Sequence, residues 1–141
     1  MKSKQVLDVQ QMQHLQELGL ELKETMLYWV VYEAGHENNF VTTKENAMEV
    51  IDESCGMLPA YTLQDVLDAL PKFYHIANIG WTKLSIRVHT TKEWEIGYVY
   101  TDELSKYAYG CRILGKELID AAYELLVWCI ENKVVETNKN E

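Results

Sequence analysis

Between Lys83 and Tyr100 the chain alternates apolar and polar residues with a period of two, and no other feature constrains its fold as much. Leu84, Ile86 and Val88 alternate with Lys83, Ser85, Arg87 and His89. After a turn over Thr90 to Glu93, Trp94, Ile96, Tyr98 and Tyr100 alternate with Glu95, Gly97 and Val99. A period of two puts one set on each face of a half-buried strand, so this stretch predicts a hairpin lying with one face on a core. An earlier run, Met26 to Tyr32, reads MLYWVVY and is apolar on both faces, which predicts an inner strand. The polar stretch Glu33 to Asn39 predicts a turn, and Phe40 to Thr42 a short returning strand.

Helical signals surround these strands. Asp8 with Gln11 forms a box-like cap, Leu7 and Met12 can staple it, and Met12, Leu15 and Leu18 make a narrow apolar stripe. Gly19 supplies a left-handed stop, with Leu20 folding back on the stripe. Thr42 with Glu45 predicts a helix from Thr43 to Ser54 that turns Ala47, Met48 and Ile51 inward. Thr62 with Asp65 caps a third helix, Tyr61 staples onto Val66, and Leu63, Val66, Leu67 and Leu70 form its apolar face until Pro71 ends it. Residues 72–81 match neither template, and Thr101 to Gly115 reads as a linking segment. A last helix runs from Lys116 to Asn132. The expected architecture is α+β: an antiparallel sheet of about four strands in two hairpins, with helices packed mainly on one face.

A chain of 141 residues fits one domain, expected over 1–141 with polar, frayed ends at about 1–5 and 136–141. Its net charge of −9, with Lys and Arg scattered along the chain, opposes the counterion release that drives nucleic-acid binding. No apolar run approaches the roughly 20 residues that span a bilayer, and no signal-peptide core follows Met1. Three distant cysteines, Cys55, Cys111 and Cys129, suit a reducing compartment, so the expected address is cytoplasmic.

Reactive signatures are missing from the pattern. His14, His36, His75 and His89 form no close ligand pairs with one another or with cysteine, so no metal site is expected. Seven glycines make no phosphate-cradling loop, and no cofactor is expected. Cys111, His89 and Asp102 could converge as nucleophile, base and orienting carboxylate, but nothing in their spacing requires it. Cys129 falls on the apolar side of the last helix, where a thiol behaves as a small hydrophobe.

That last helix carries the expected interaction surface. At 100° per residue Glu117, Asp120, Glu124 and Glu131 gather into one acidic stripe, flanked by Val127 and Trp128. Leu118, Ile119, Ala122, Leu125, Leu126, Cys129 and Ile130 fill the opposite side, so apolar surface wraps more than half the helix. Either the first helix and the Thr62 helix cover the surplus, or a second copy or partner protein packs on Trp128. Nine Tyr and four Trp against two Phe fit a chain with interfacial rings, although Trp29 and Trp94 can simply fill the sheet's core.

Three blocks resemble an uncharacterised family of small proteins from gut Bacteroides and related bacteria, often carried on phages or other mobile elements. They are Gln11 to Gly19 with Met26 to Trp29, Pro59 to Pro71, and Leu118 to Asn132. The chain departs from that pattern at Lys133, where many relatives carry Gly, and between Phe40 and Met57. The resemblance implies a mobile-element setting and no catalytic or binding residues. The function expected from all of this is a non-catalytic protein-interaction module, self-associating as a homodimer or binding another protein. The alternatives are a small-molecule-binding domain or small enzyme without a sequence signature, and an acidic decoy for a basic partner.

Overall fold

The computed structural model describes residues 4–101 and 107–137. The first helix, α1 (Val9–Glu17), is closed at both ends by local chemistry. Asp8 accepts from the Gln11 N–H while the Gln11 side chain accepts from the Asp8 N–H, and Leu7 and Met12 are fully buried beside this box. At the other end Gly19 takes φ 96°, and the Gly19 and Leu20 amides donate back to the Gln16 and Leu15 carbonyls. That is a Schellman turn, and it returns Leu20 to the core.

Strand β1 (Leu27–Tyr32) is the inner strand its two apolar faces predict, lying between β2 (Phe40–Thr43) and β3 (Cys55–Pro59), antiparallel to both. Tyr28 and Val30 face a small cluster with Ala47 and Cys55, whereas Trp29 and Val31 face the main core. Thr43 caps α2 (Lys44–Val50), whose buried residue is Ala47. Here the expectation fails in part. The helix ends at Val50, Met48 and Ile51 are exposed, and Cys55 opens a strand instead of trailing a helix.

The capping box of Thr62 and Asp65 starts α3 (Leu63–Ala69), with Val66 and Leu70 buried. The ambiguous stretch then forms β4 (Phe73–Ile76) and the start of β5 (Gly80–Thr90), joined by a tight loop in which Asn78 adopts φ 74°. β5 pairs with β6 (Glu93–Thr101), as the alternation predicts. The stretch read as a linker contains β7 (Tyr107–Gly115), which pairs antiparallel with β6 across a bulge at Tyr98 and Val99. The second sheet therefore runs β4-β5-β6-β7.

Helix α4 (Leu118–Glu131) lies on one face of this second sheet, over β6 and β7, and against α3. Ile119, Ala121, Ala122, Leu125, Leu126, Cys129 and Ile130 are buried there with Ile96 and Tyr98. The class is α+β with antiparallel sheets. Among the described residues there are seven strands in two sheets, because β3, β4 and β7 add to the four expected, and α2 packs on the opposite face of the first sheet from α1. No helix among the described residues is long and apolar enough to cross a membrane.

Candidate functional site

The four carboxylates of the acidic stripe on α4 have different surroundings. Asp120 turns towards α1, where its carboxylate accepts from Lys4 Nζ at 2.8 Å and Gln11 Nε2 at 2.9 Å. Burial pulls the Asp120 carboxyl upward, but these hydrogen bonds and the Lys4 charge outweigh it and hold it below its ordinary value. Glu117 occupies the N-cap position without a side-chain cap bond, while Glu124 and Glu131 are exposed. Val127 and Trp128 are half-buried against the main core. The Trp128 ring meets Tyr74 edge to face, 5.9 Å between centroids, and Tyr74 in turn meets Tyr98 at 5.8 Å. The surplus apolar surface of α4 is thus in contact with α3, with β4 through Tyr74, and with Val134 and Val135 beyond its end.

The exposed rings lie elsewhere. In the second sheet Phe73 stands opposite Lys83, and His75 opposite Trp81, so these four share one face. It is the face turned away from Tyr74, Tyr98 and α4. Phe73 is 62 % exposed and Trp81 is 66 % exposed, far beyond Trp29, which donates its ring N–H to the Leu7 carbonyl inside the core. The His75 ring abuts Trp81 edge to face, 5.2 Å between centroids and 69° between planes.

Farther along the same face sits an ion cluster. Glu95 is 4 % exposed and takes hydrogen bonds from Arg87 on β5 and Arg112 on β7, with Arg87 Nε at 2.9 Å. Burial alone would push its carboxyl up, yet the two guanidinium groups prevail and hold it below its ordinary value. His89 reaches the Arg112 guanidinium at 3.3 Å. Gly97 lies flat beside them, since a Cβ there would come within 2.1 Å of the Cys111 carbonyl oxygen.

Cys111 and His89 do not converge. Cys111 pairs across from Tyr98 on the α4 face, His89 is on the outer face, and Asp102 lies outside the described residues. Burial also raises the Cys111 thiol, and raises Cys129, buried beside Tyr98, to about 11, so neither is a ready thiolate. Among the described residues no three His, Cys, Asp or Glu side chains gather as a metal site, and every buried side-chain nitrogen or oxygen has a partner.

A cleft of about 480 Å³ opens between α3, the segment after α1 and the chain beyond α4. Tyr61 forms part of its wall, with Glu21, Glu24, Asp65 and Asp68. Two of those carboxylates already hold the fold: Asp65 caps α3 and accepts from Thr25 Oγ1 at 2.7 Å, and Glu24 pairs with Lys44. No histidine lines it, and burial pushes the hydroxyl of its aromatic wall residue, Tyr61, above the ordinary value.

Sequence reasoning missed Phe73, His75 and Trp81 because they fall in the stretch that fits neither helix nor strand template. A signal was present in the charges. Residues 72–116 hold seven of the 13 basic and four of the 22 acidic residues, a net of +3, so the remainder of the chain carries −12. Of those basic residues Lys83, Arg87 and Arg112 lie on strands of the second sheet. No protein-family model, curated protein or solved structure matches this chain.

Proposed function

We propose that this chain is a non-catalytic interaction module whose docking surface is the outer face of the β4-β5-β6-β7 sheet. The observation that carries this is the pair of rings on that face, Phe73 and Trp81, each more than 60 % exposed, against 38 % for Phe40 and for Trp94. Exposed rings clustered on one rigid sheet are what an interface uses as anchors, since they offer large contact area with few rotamers to freeze. Trp128, half-buried and ringed by Tyr74, remains a second place where a protein partner or another copy of the chain would dock. The resemblance of the three blocks favours a setting in the cytoplasm of a bacterium, on a phage or other mobile element or in its host.

The test compares variants on one immobilised support. Intact protein is expected to retain a specific partner from a bacterial host lysate, and the Phe73→Ala/Trp81→Ala protein to lose it. A Trp128→Ala protein that keeps its fold should retain it still. Loss with Trp128→Ala alone would move the docking surface to α4, and intact protein that retains nothing would sink the module reading.

A further inference from the structure

We infer that the open edge of β5, from Ile86 to Thr90, pairs with the same edge of a second copy of this chain, joining the two second sheets into one. This goes beyond the outer-face reading and does not depend on it, because the seam uses neither the Phe73 and Trp81 rings nor Trp128.

β4 covers only the first part of β5. Their pairing runs from Ile76 and Gly80 to Phe73 and Lys83, and the Leu84 N–H then donates to the Lys72 carbonyl. Pro71 leaves the edge for the inner face, where its carbonyl accepts from the Tyr98 hydroxyl at 2.8 Å. Among the described residues no strand lies on that side of β5 beyond Leu84. Peptide groups alternate sides along a strand, so the Leu84 bond fixes the direction of those that follow. The N–H and C=O groups of Ile86 and Val88 point outward, while those of Ser85 and Arg87 serve the ladder with β6. Extended backbone is what such a row of groups recognises. Neither Lys nor Pro guards it, and its one charged residue, Arg87, is bound to Glu95 on the outer face.

The inner face selects a second copy over a lone segment. Val88 is 67 % exposed there, and its neighbour on β6 is Trp94, 38 % exposed, at a corner of the sheet that α4 leaves uncovered. Val88 is also the midpoint of the open edge. Two copies related by a two-fold axis through Val88 therefore set Val88 against Val88, Ile86 against Thr90, and Arg87 against His89. Val88 exchanges both backbone bonds with its own copy, and Trp94, Val88, Val88 and Trp94 run unbroken across the seam. A lone extended segment brings a side chain to Val88 but no second Trp94 behind it. Sliding the register by two residues one way puts Thr90 where Lys72 of the other copy already lies; the other way puts Ile86 opposite the turn at Lys92. The charge of −9 on each copy opposes their approach, and salt screens that repulsion.

The experiment is sedimentation velocity of the full-length protein over a range of concentrations. A dimer is expected with a dissociation constant on the order of 100 µM, as a seam below the standard interface size gives, and tighter at about 500 mM than at about 50 mM salt. Val88→Pro removes one outward N–H without touching the β5–β6 ladder, and Val88→Lys puts a charge into the apolar row. Each is expected to weaken the dimer at least about tenfold, with circular dichroism checking that the variant is folded. Phe73→Ala/Trp81→Ala and Trp128→Ala should leave it unchanged. Val88→Cys treated with diamide is expected to give a disulfide-linked dimer, because a hydrogen-bonded pair holds its Cα atoms about 5.5 Å apart. Ile86→Cys and the parent, whose cysteines are buried or half-buried, should not. Monomer at every concentration up to about tenfold above the expected constant overturns the inference. So does a dimer that survives both Val88→Pro and Val88→Lys, one that dissolves with Trp128→Ala, or one that cross-links as well through Ile86→Cys as through Val88→Cys. The lysate partner assigned to Phe73 and Trp81 stands or falls apart from each of these results.

Discussion

Lys133 holds φ 59° just past the end of α4, and its N–H donates to Ile130 while the Val134 N–H donates to Cys129 at 2.7 Å. This is the same Schellman closure that Gly19 makes for α1, built on a residue with a Cβ. A left-handed L-residue costs about 1 kcal/mol that glycine avoids. Lys133→Gly is therefore expected to raise the melting temperature by about 3 °C, read by calorimetry, in spite of the greater freedom glycine gives the unfolded chain. Glu95 is a second position where one residue decides a local balance. Its folded carboxyl titrates below its ordinary range, so it stabilises the protein above the unfolded carboxyl pKa and loses that contribution as pH falls through the folded one. Glu95→Gln should cost about 1–2 kcal/mol at pH 7 in urea unfolding, and the gap should narrow as pH falls through the lowered titration of the folded carboxyl.

Among the elements, the β6–β7 pairing rests on a glycine that admits nothing larger. Gly97→Ala would drive its new carbon into the Cys111 carbonyl, with an expected loss of about 3 kcal/mol, whereas Gly56→Ala in β3 meets nothing within 4 Å and should change stability by less than about 0.5 kcal/mol. Paired chemical-denaturation curves distinguish the two. The helix ends were legible in the sequence because caps are local: Asp8 with Gln11 and Thr62 with Asp65 need only four residues to declare themselves. β3, β4 and β7 were not, because Gly56, Pro59, Gly110 and the shortness of β4 break or truncate any period, and β3 pairs back to β1 across β2 and α2. Period also gives direction without depth. Ile86 and Val88 share a face with buried Ile96, yet they are 38 % and 67 % exposed, since α4 covers β6 and β7 rather than the far end of β5. The candidate surface was invisible for a related reason: its rings come together only when β4 folds back on β5.

At the scale of the molecule, two unequal cores share β1. The larger joins α1, α3, α4 and the inner faces of both sheets, while the smaller holds four buried residues, Tyr28, Val30, Ala47 and Cys55, under α2. Stability divides along the same line, because opening free energy follows the apolar surface an element buries. Amides of α2 and β2 are expected to exchange with solvent much faster than those of β6 and α4 under native conditions. Equal protection across both layers would mean that the small core is not a separate unit.

The contacts of Lys4 and Gln11 with Asp120 also have a consequence in time. A ribosome makes these two residues before the seven strands and before α4. The earlier segment must wait for the later helix, a separation of 116 residues for the Lys4 bond. Closure of the main core is thus an event after synthesis of α4, and until then the apolar side of α1 has no helix α4 to meet.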